Sequence, residues 1–134
     1  MTKTHIVDAH ALLAFFQNES GADAVRELIL SAEAGEVNLA MCIVNLGEVW
    51  YSIARKKSEE TADEYIRAVL GTAIEVVEPD WQLTRLAASY KSRGNISYAD
   101  CFAAALAKLR DGHVVTGDKE FEVLEDEVKV IWLK

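Results

Sequence analysis

The stretch ISYADCFAAALAKLRDGHVVTGDKEF, residues 96–121, decides the reading of the fold. Ser97 opens a helix that runs to about Arg110 through an alanine-rich segment, and HVVT (113–116) follows as a short strand rich in β-branched residues. Asp100 then lies in the first turn of the helix, and Asp118 lies just past the strand, in Thr116-Gly117-Asp118. On a helical wheel Asp100 projects away from Phe102, Leu106 and Leu109, onto a side of Ala103, Ala104 and Ala107 that lets another backbone come close.

The same alternation extends in both directions. THIVD (4–8) reads as a strand feeding a helix over AHALLAFFQ (9–17), then a turn at Asn18 to Gly21, and a helix over residues 22–34 with Val25, Leu28, Ile29 and Ala32 on one face. Gly35 closes that helix. VNLAM (37–41) is a second strand, and residues 43–57 form a helix with Ile43, Leu46, Trp50 and Ile53 as its apolar stripe. A helix starts at Ser58-Glu59-Glu60, AIEVVE (73–78) is a third strand, Asp80 caps a helix to about Ser92, and VKVIWL (128–133) is the last strand. Five short strands separated by helices predict an α/β layered fold around a mainly parallel sheet, with ligands beyond the strand C-termini.

Composition bounds the rest. A 134-residue chain with 51% apolar and 27% charged residues and one proline is expected to fold as one globular domain over 1–134. No apolar run approaches the roughly 18 residues of a membrane span, and the N-terminus has no signal-peptide core, so no membrane and a cytoplasmic location are expected. Cys42 and Cys101 are too far apart for a C-x-x-C pattern and are expected to be reduced thiols. Trp50, Trp81, Trp132 and Phe15-Phe16 are expected in the core or an interface. The formal charge of −8 has the wrong sign for binding nucleic acid by bulk electrostatics, unless acids gathered around cations reverse the local field.

Four acids carry the chemical reading. Asp8 and Asp118 follow strands, Asp100 opens a helix, and Glu48 lies in the helix after the second strand, opposite its apolar stripe. All four can converge on one edge of the sheet, where a hard oxygen set suits Mg²⁺ or Mn²⁺. His5, His10 and His113 have no metal-ligand spacing and are assigned none. Each acid also has an ordinary role available: Asp8 as a helix cap, Ser97-x-x-Asp100 as a capping box, Asp118 as a turn residue, and Glu48 as a solvated helix acid near Arg55. Their joint order favours the site, since independent structural roles do not require all four at one end of one sheet. No Ser-His-Asp or Cys-His set and no phosphate-binding glycine loop is present.

The segments HIVDAHALLAFF, IVNLGEVWYSIARK, ISYADCFAAALAKLRDGHVVTGDKEF and VKVIWL together resemble the PIN-domain nucleases, above all the VapC-type toxins of toxin–antitoxin pairs. The resemblance spans essentially the whole chain. It implies a three-layer α/β/α sandwich around a five-stranded, mainly parallel sheet, with Asp8, Glu48, Asp100 and Asp118 as an acidic metal-binding and catalytic quartet. It implies hydrolysis of RNA with Mg²⁺ or Mn²⁺, leaving a 5′-phosphate and a 3′-hydroxyl, together with homodimerisation and inhibition by a cognate antitoxin. Thr116 and Asn45 are secondary positions, and Arg55, Lys56, Lys57 and Lys119 are candidate phosphate contacts, with helix-dipole compensation the alternative for the first three. An RNA-processing or decay nuclease without a toxin role, or a catalytically silent PIN-fold binding module, are the rival functions. A phosphatase or receiver using Asp8 as nucleophile is disfavoured, because Asp8-Ala9-His10 stands where the phosphatase would have D-x-D.

Overall fold

The computed structural model describes residues 2–134. In chain order the elements are β1 (Thr4–Val7), α1 (Ala9–Phe16), α2 (Ala22–Glu33), β2 (Asn38–Cys42), α3 (Ile43–Lys56), α4 (Glu59–Leu70), β3 (Glu75–Val77), α5 (Trp81–Arg93), α6 (Tyr98–Leu109), β4 (His113–Thr116), a 3₁₀ helix (Lys119–Leu124) and β5 (Lys129–Trp132). The strands form one five-stranded sheet in the order β3-β2-β1-β4-β5, and every pairing is parallel. Parallel neighbours need long crossovers, and helices supply them. The expected α/β/α sandwich is therefore present.

Alternation along the strands splits the core in two. Ile6, Ala40, Cys42 and Val114 face one way, against residues of α5, α6 and the 3₁₀ helix. Val7, Leu39, Met41 and Val115 face the other, against α1 to α4. Both layers close on β1, whose Ile6 and Val7 are wholly buried. Helix ends follow local chemistry: Asp8, Ser58, Asp80 and Ser97 each accept a backbone N–H of the first turn.

Several expectations change in detail. Helix α6 is buried on all sides from Asp100 to Ala107, because it lies against β1, β2 and β4 while α5 covers its outer face. Its alanines thus serve contacts all round the helix, and Leu109, expected on the apolar side, is exposed. In α3 the buried residues are Leu46, Val49 and Ile53; Ile43, the first residue after the strand, is left at the rim and exposed. Trp50 and Trp132 are half-buried, with indole N–H groups donating to Asp63 and Glu125. Trp81 is 71% exposed and no part of the core. Both cysteines are buried and free. Among the described residues no helix is long and apolar enough to cross a membrane.

The 3₁₀ helix after β4 was not anticipated. It is pinned by Phe121 and Leu124, which enter the α6 layer. Phe121 is wholly buried, so Phe121→Ala is expected to cost about 3–5 kcal/mol in urea unfolding; a loss below about 1 kcal/mol would show that the segment is not anchored there.

Candidate active site

Chain order reverses beside β1: β2 and β3 extend the sheet on one side, β4 and β5 on the other. The gap outside the β1 and β4 C-termini is therefore a topological switch point, where ligands bind in open parallel sheets. Asp8 follows β1 directly, Thr116 ends β4, and Asp118 lies two residues beyond it.

A chain of hydrogen bonds fixes these three residues. Asp8 is 0% exposed; its Oδ1 accepts from the Ala11 N–H at 2.8 Å and its Oδ2 accepts a short bond from the Thr116 hydroxyl. The same hydroxyl oxygen accepts from the Asp118 N–H at 2.9 Å. Asp118 Oδ1 in turn accepts from the Glu120 N–H at 3.0 Å, which starts the 3₁₀ helix. The intervening Gly117 packs under the imidazole of His10, whose Nδ1 accepts its N–H at 3.2 Å. A Cβ on Gly117 would lie 2.5 Å from that ring, so any larger residue would have to push the exposed imidazole aside.

Two further elements deliver the remaining acids. Asp100 is buried in the first turn of α6, where Ser97 Oγ accepts its N–H at 3.2 Å. Glu48, half-buried on α3, accepts from Asn45 Nδ2 at 3.1 Å. Asn45 Nδ2 also donates to the Ala99 carbonyl at 3.0 Å, tying α3 to the residue before Asp100. Asn45 is wholly buried and its Oδ1 has no partner. Carboxylate oxygens of Asp100, Asp118 and Glu120 all lie within 4.8 Å of one another.

Electrostatics tie the acids into one cluster. Burial pushes the Asp8 carboxyl up to about 7 against the pull of its two hydrogen bonds, and the charges of Asp118 and Glu48 add to the rise. Asp100 is pushed up to about 8 by burial first, then by Asp118 and Asp8. Glu48 is raised by burial, partly offset by Asn45, with Asp118 and Glu120 adding to the rise. The ion pairs among the described residues, Arg26–Asp23, Arg93–Glu127 and Arg110–Glu75, are all elsewhere. An acidic group without a basic partner, built wholly of hard oxygens, fits a divalent cation, which would restore the ionised state that burial opposes.

The structure thus gathers Asp8, Glu48, Asp100 and Asp118, with Thr116 and Asn45 bonded to them. It does not gather Arg55, Lys56 and Lys57. They lie seven to nine positions beyond Glu48, roughly 10–13 Å along the helix axis at ~1.5 Å per residue. Arg55 stacks on Tyr51 at 5.0 Å and Lys57 donates to the Tyr65 hydroxyl at 3.1 Å. Lys119 stands exposed beside Asp118. Glu120 went unread in the sequence; the available signal was a capping serine, Ser97, with aspartate rather than glutamate three residues on.

Comparison with known proteins gives the family and the fold. The family model described as the PIN domain matches residues 5–127. A search of curated protein sequences gave no match. Among solved structures, VapBC2 from Rickettsia felis bound to a promoter DNA fragment superposes with TM-score 0.76 at 14% identity, covering 98% of this chain and 99% of that one. DNA-bound VapBC from Salmonella typhimurium gives TM-score 0.73 at 18% identity, covering 98% of each chain. VapC20 from Mycobacterium tuberculosis, described as a Sarcin-Ricin loop cleaving toxin, gives 0.71 at 18% identity, covering 89% and 93%.

A carboxyl whose folded-state pKa exceeds its unfolded value, 3.8 for Asp100, holds its proton more tightly when folded. That contribution is whole below about pH 4 and is lost as pH rises through the folded value of about 8. In chelator, the chain is expected to lose stability across this window, and Asp100→Asn to lose less of it. The gap between the two should grow from pH 4 to pH 8, reaching on the order of 2 kcal/mol in chemical unfolding. A gap that does not change with pH would contradict the burial of this charge.

Proposed function

The chain belongs to the PIN-domain family, and from that premise we propose that it is a divalent-metal-dependent endoribonuclease, the toxin of a VapBC-type pair, built as one domain over residues 1–134. The observation that carries this reading is that Asp8, Glu48, Asp100 and Asp118, from four separate segments, lie close enough to raise one another's carboxyl pKa, with no ion-pair partner for any of them among the described residues. No structural economy accounts for such a group, because each added carboxylate raises the cost of ionising the others.

In this reading the four acids hold Mg²⁺ or Mn²⁺. An ion held there would supply an acidified water and positive charge opposite the scissile phosphate. The chain supplies position. Thr116 fixes one oxygen of Asp8, Asn45 holds Glu48 toward α6, and the Ala11 N–H keeps Asp8 from turning away. The chain's charge of −8 would repel RNA, so cation binding also removes the local barrier to the substrate. Lys119 is the basic residue best placed beside the acids to meet the backbone; Arg55, Lys56 and Lys57 would meet it only further along the strand.

RNA as substrate is supported by the fold shared with a toxin described as cleaving the Sarcin-Ricin loop. An antitoxin partner is supported by the fold shared with VapBC assemblies. Homodimerisation and a cytoplasmic location complete the proposal.

Purified protein incubated with total cellular RNA is expected to give discrete cuts with 5′-phosphate ends in Mg²⁺ or Mn²⁺ and none in chelator. Asp8→Asn and Asp100→Asn are expected to lower the rate by more than about 100-fold with the fold retained, beyond the ~10–100-fold typical of residues that only orient ligands. Metal-dependent cutting at full rate by either variant would overturn the assignment. Independently of activity, Mg²⁺ should raise the thermal midpoint more at pH 8 than at pH 5, since protons compete for the same oxygens; equal shifts at both pH values would place the ion elsewhere. Induced expression should arrest growth, with relief from a neighbouring antitoxin frame; unaffected growth would favour an RNA-processing role.

A further inference from the structure

Glu120 differs from the other acids at the cluster in that its side chain holds a backbone N–H far away in sequence. Its Oε1 accepts from the Ser97 N–H at 2.7 Å, across 23 residues of chain. Its own N–H donates to Asp118 Oδ1 at 3.0 Å. Ser97 is the N-cap of α6, and its Oγ accepts from the Asp100 N–H at 3.2 Å.

In an ordinary capping box the side chain three residues after the cap reaches back to the cap residue's own N–H. Here that residue is Asp100, whose carboxyl interacts with the Ser97 hydroxyl and with Asp118, while the Ser97 N–H is taken by Glu120. Without Glu120 that N–H would be left to water. Glu120 closes the box from outside the helix, and places a negative charge at the positive end of α6.

We propose that Glu120 is a positioning residue rather than a fifth metal ligand: it clasps the first turn of α6 to the 3₁₀ helix, setting the separation of Asp100 and Asp118. The inference deepens the nuclease reading and rests on it for its catalytic consequence. Mechanically the clasp is one side of a brace. Asn45 holds the same turn of α6 from α3 through the Ala99 carbonyl, so the turn that bears Asp100 is gripped from two directions. The Ser97 N–H occupies Oε1 at 2.7 Å, and a cation role for Oε2 would make loss of the charge matter more than loss of the clasp.

The test compares Glu120→Gln, which keeps an acceptor oxygen and loses the charge, with Glu120→Ala, which loses both. In the metal-free chain, NMR exchange of the Ser97 amide should be as slow in Glu120→Gln as in wild type and at least about tenfold faster in Glu120→Ala. In RNA cleavage, Glu120→Ala should lower kcat about tenfold with KM little changed, and Glu120→Gln should recover most of that loss. Unchanged Ser97 exchange in Glu120→Ala would overturn the clasp. So would a Glu120→Gln variant that keeps Ser97 protected yet cleaves as poorly as Glu120→Ala, since the charge would then be what matters. Should the wild-type chain cut no RNA, the nuclease reading falls by itself, and the exchange comparison still decides the clasp.

Discussion

The Asp8 carboxylate, wholly out of water, accepts hydrogen bonds from the Ala11 N–H and the Thr116 hydroxyl, and the rest of the site depends on that pair. The first bond starts α1 and so fixes how the chain leaves β1. The second reaches across to the end of β4 and makes the two strand ends a single unit. Because the Thr116 hydroxyl oxygen also accepts the Asp118 N–H, the position of the second aspartate is set by the first. Remove the sheet register that places Val7 beside Val115, and the Thr116 hydroxyl no longer reaches Asp8.

Packing on the outer faces turns this local arrangement into a cluster. Helix α6 must lie close to β1, β2 and β4 and also accept α5 on its outer side, which small side chains permit and large ones would not. That depth brings the start of α6, and Asp100 with it, down to the strand ends. On the other layer, Leu46, Val49 and Ile53 seat α3 so that Asn45 turns inward and Glu48 stays half-exposed at the rim. The apolar layers therefore do what the acids cannot do for themselves. Mutual repulsion and lost hydration both oppose such a gathering, and only the burial of apolar surface elsewhere can hold it together.

A site assembled against its own electrostatics is suited to capturing a cation. Raised carboxyl pKa values at Asp8, Asp100 and Glu48 mean that protons compete for these oxygens to a higher pH than at ordinary carboxylates. The same logic explains how a chain with a net charge of −8 can be read as acting on a polyanion. Bulk charge discourages unspecific binding, and attraction would be confined to the place where a cation is held.

Sequence alone determined the order of helices and strands, since periodicity, capping residues and β-branched runs are local signals; it also pointed to Asp8, Glu48, Asp100 and Asp118, through their joint order and the resemblance to the PIN-domain nucleases, since each acid alone suited an ordinary cap, turn or surface role. It could not rotate α3 correctly, where Val49 rather than Ile43 enters the core, because burial on a helix depends on what packs against it. It left Trp81 between core and interface, and the fold excludes the core. Arg55, Lys56 and Lys57 looked equivalent to Lys119 in the sequence, and only the length and direction of α3 separate them from the acids. Glu120 was silent for the same reason: its partner Ser97 is 23 residues away, and a bond between distant backbone and side chain exists only after the sheet and both helices have met.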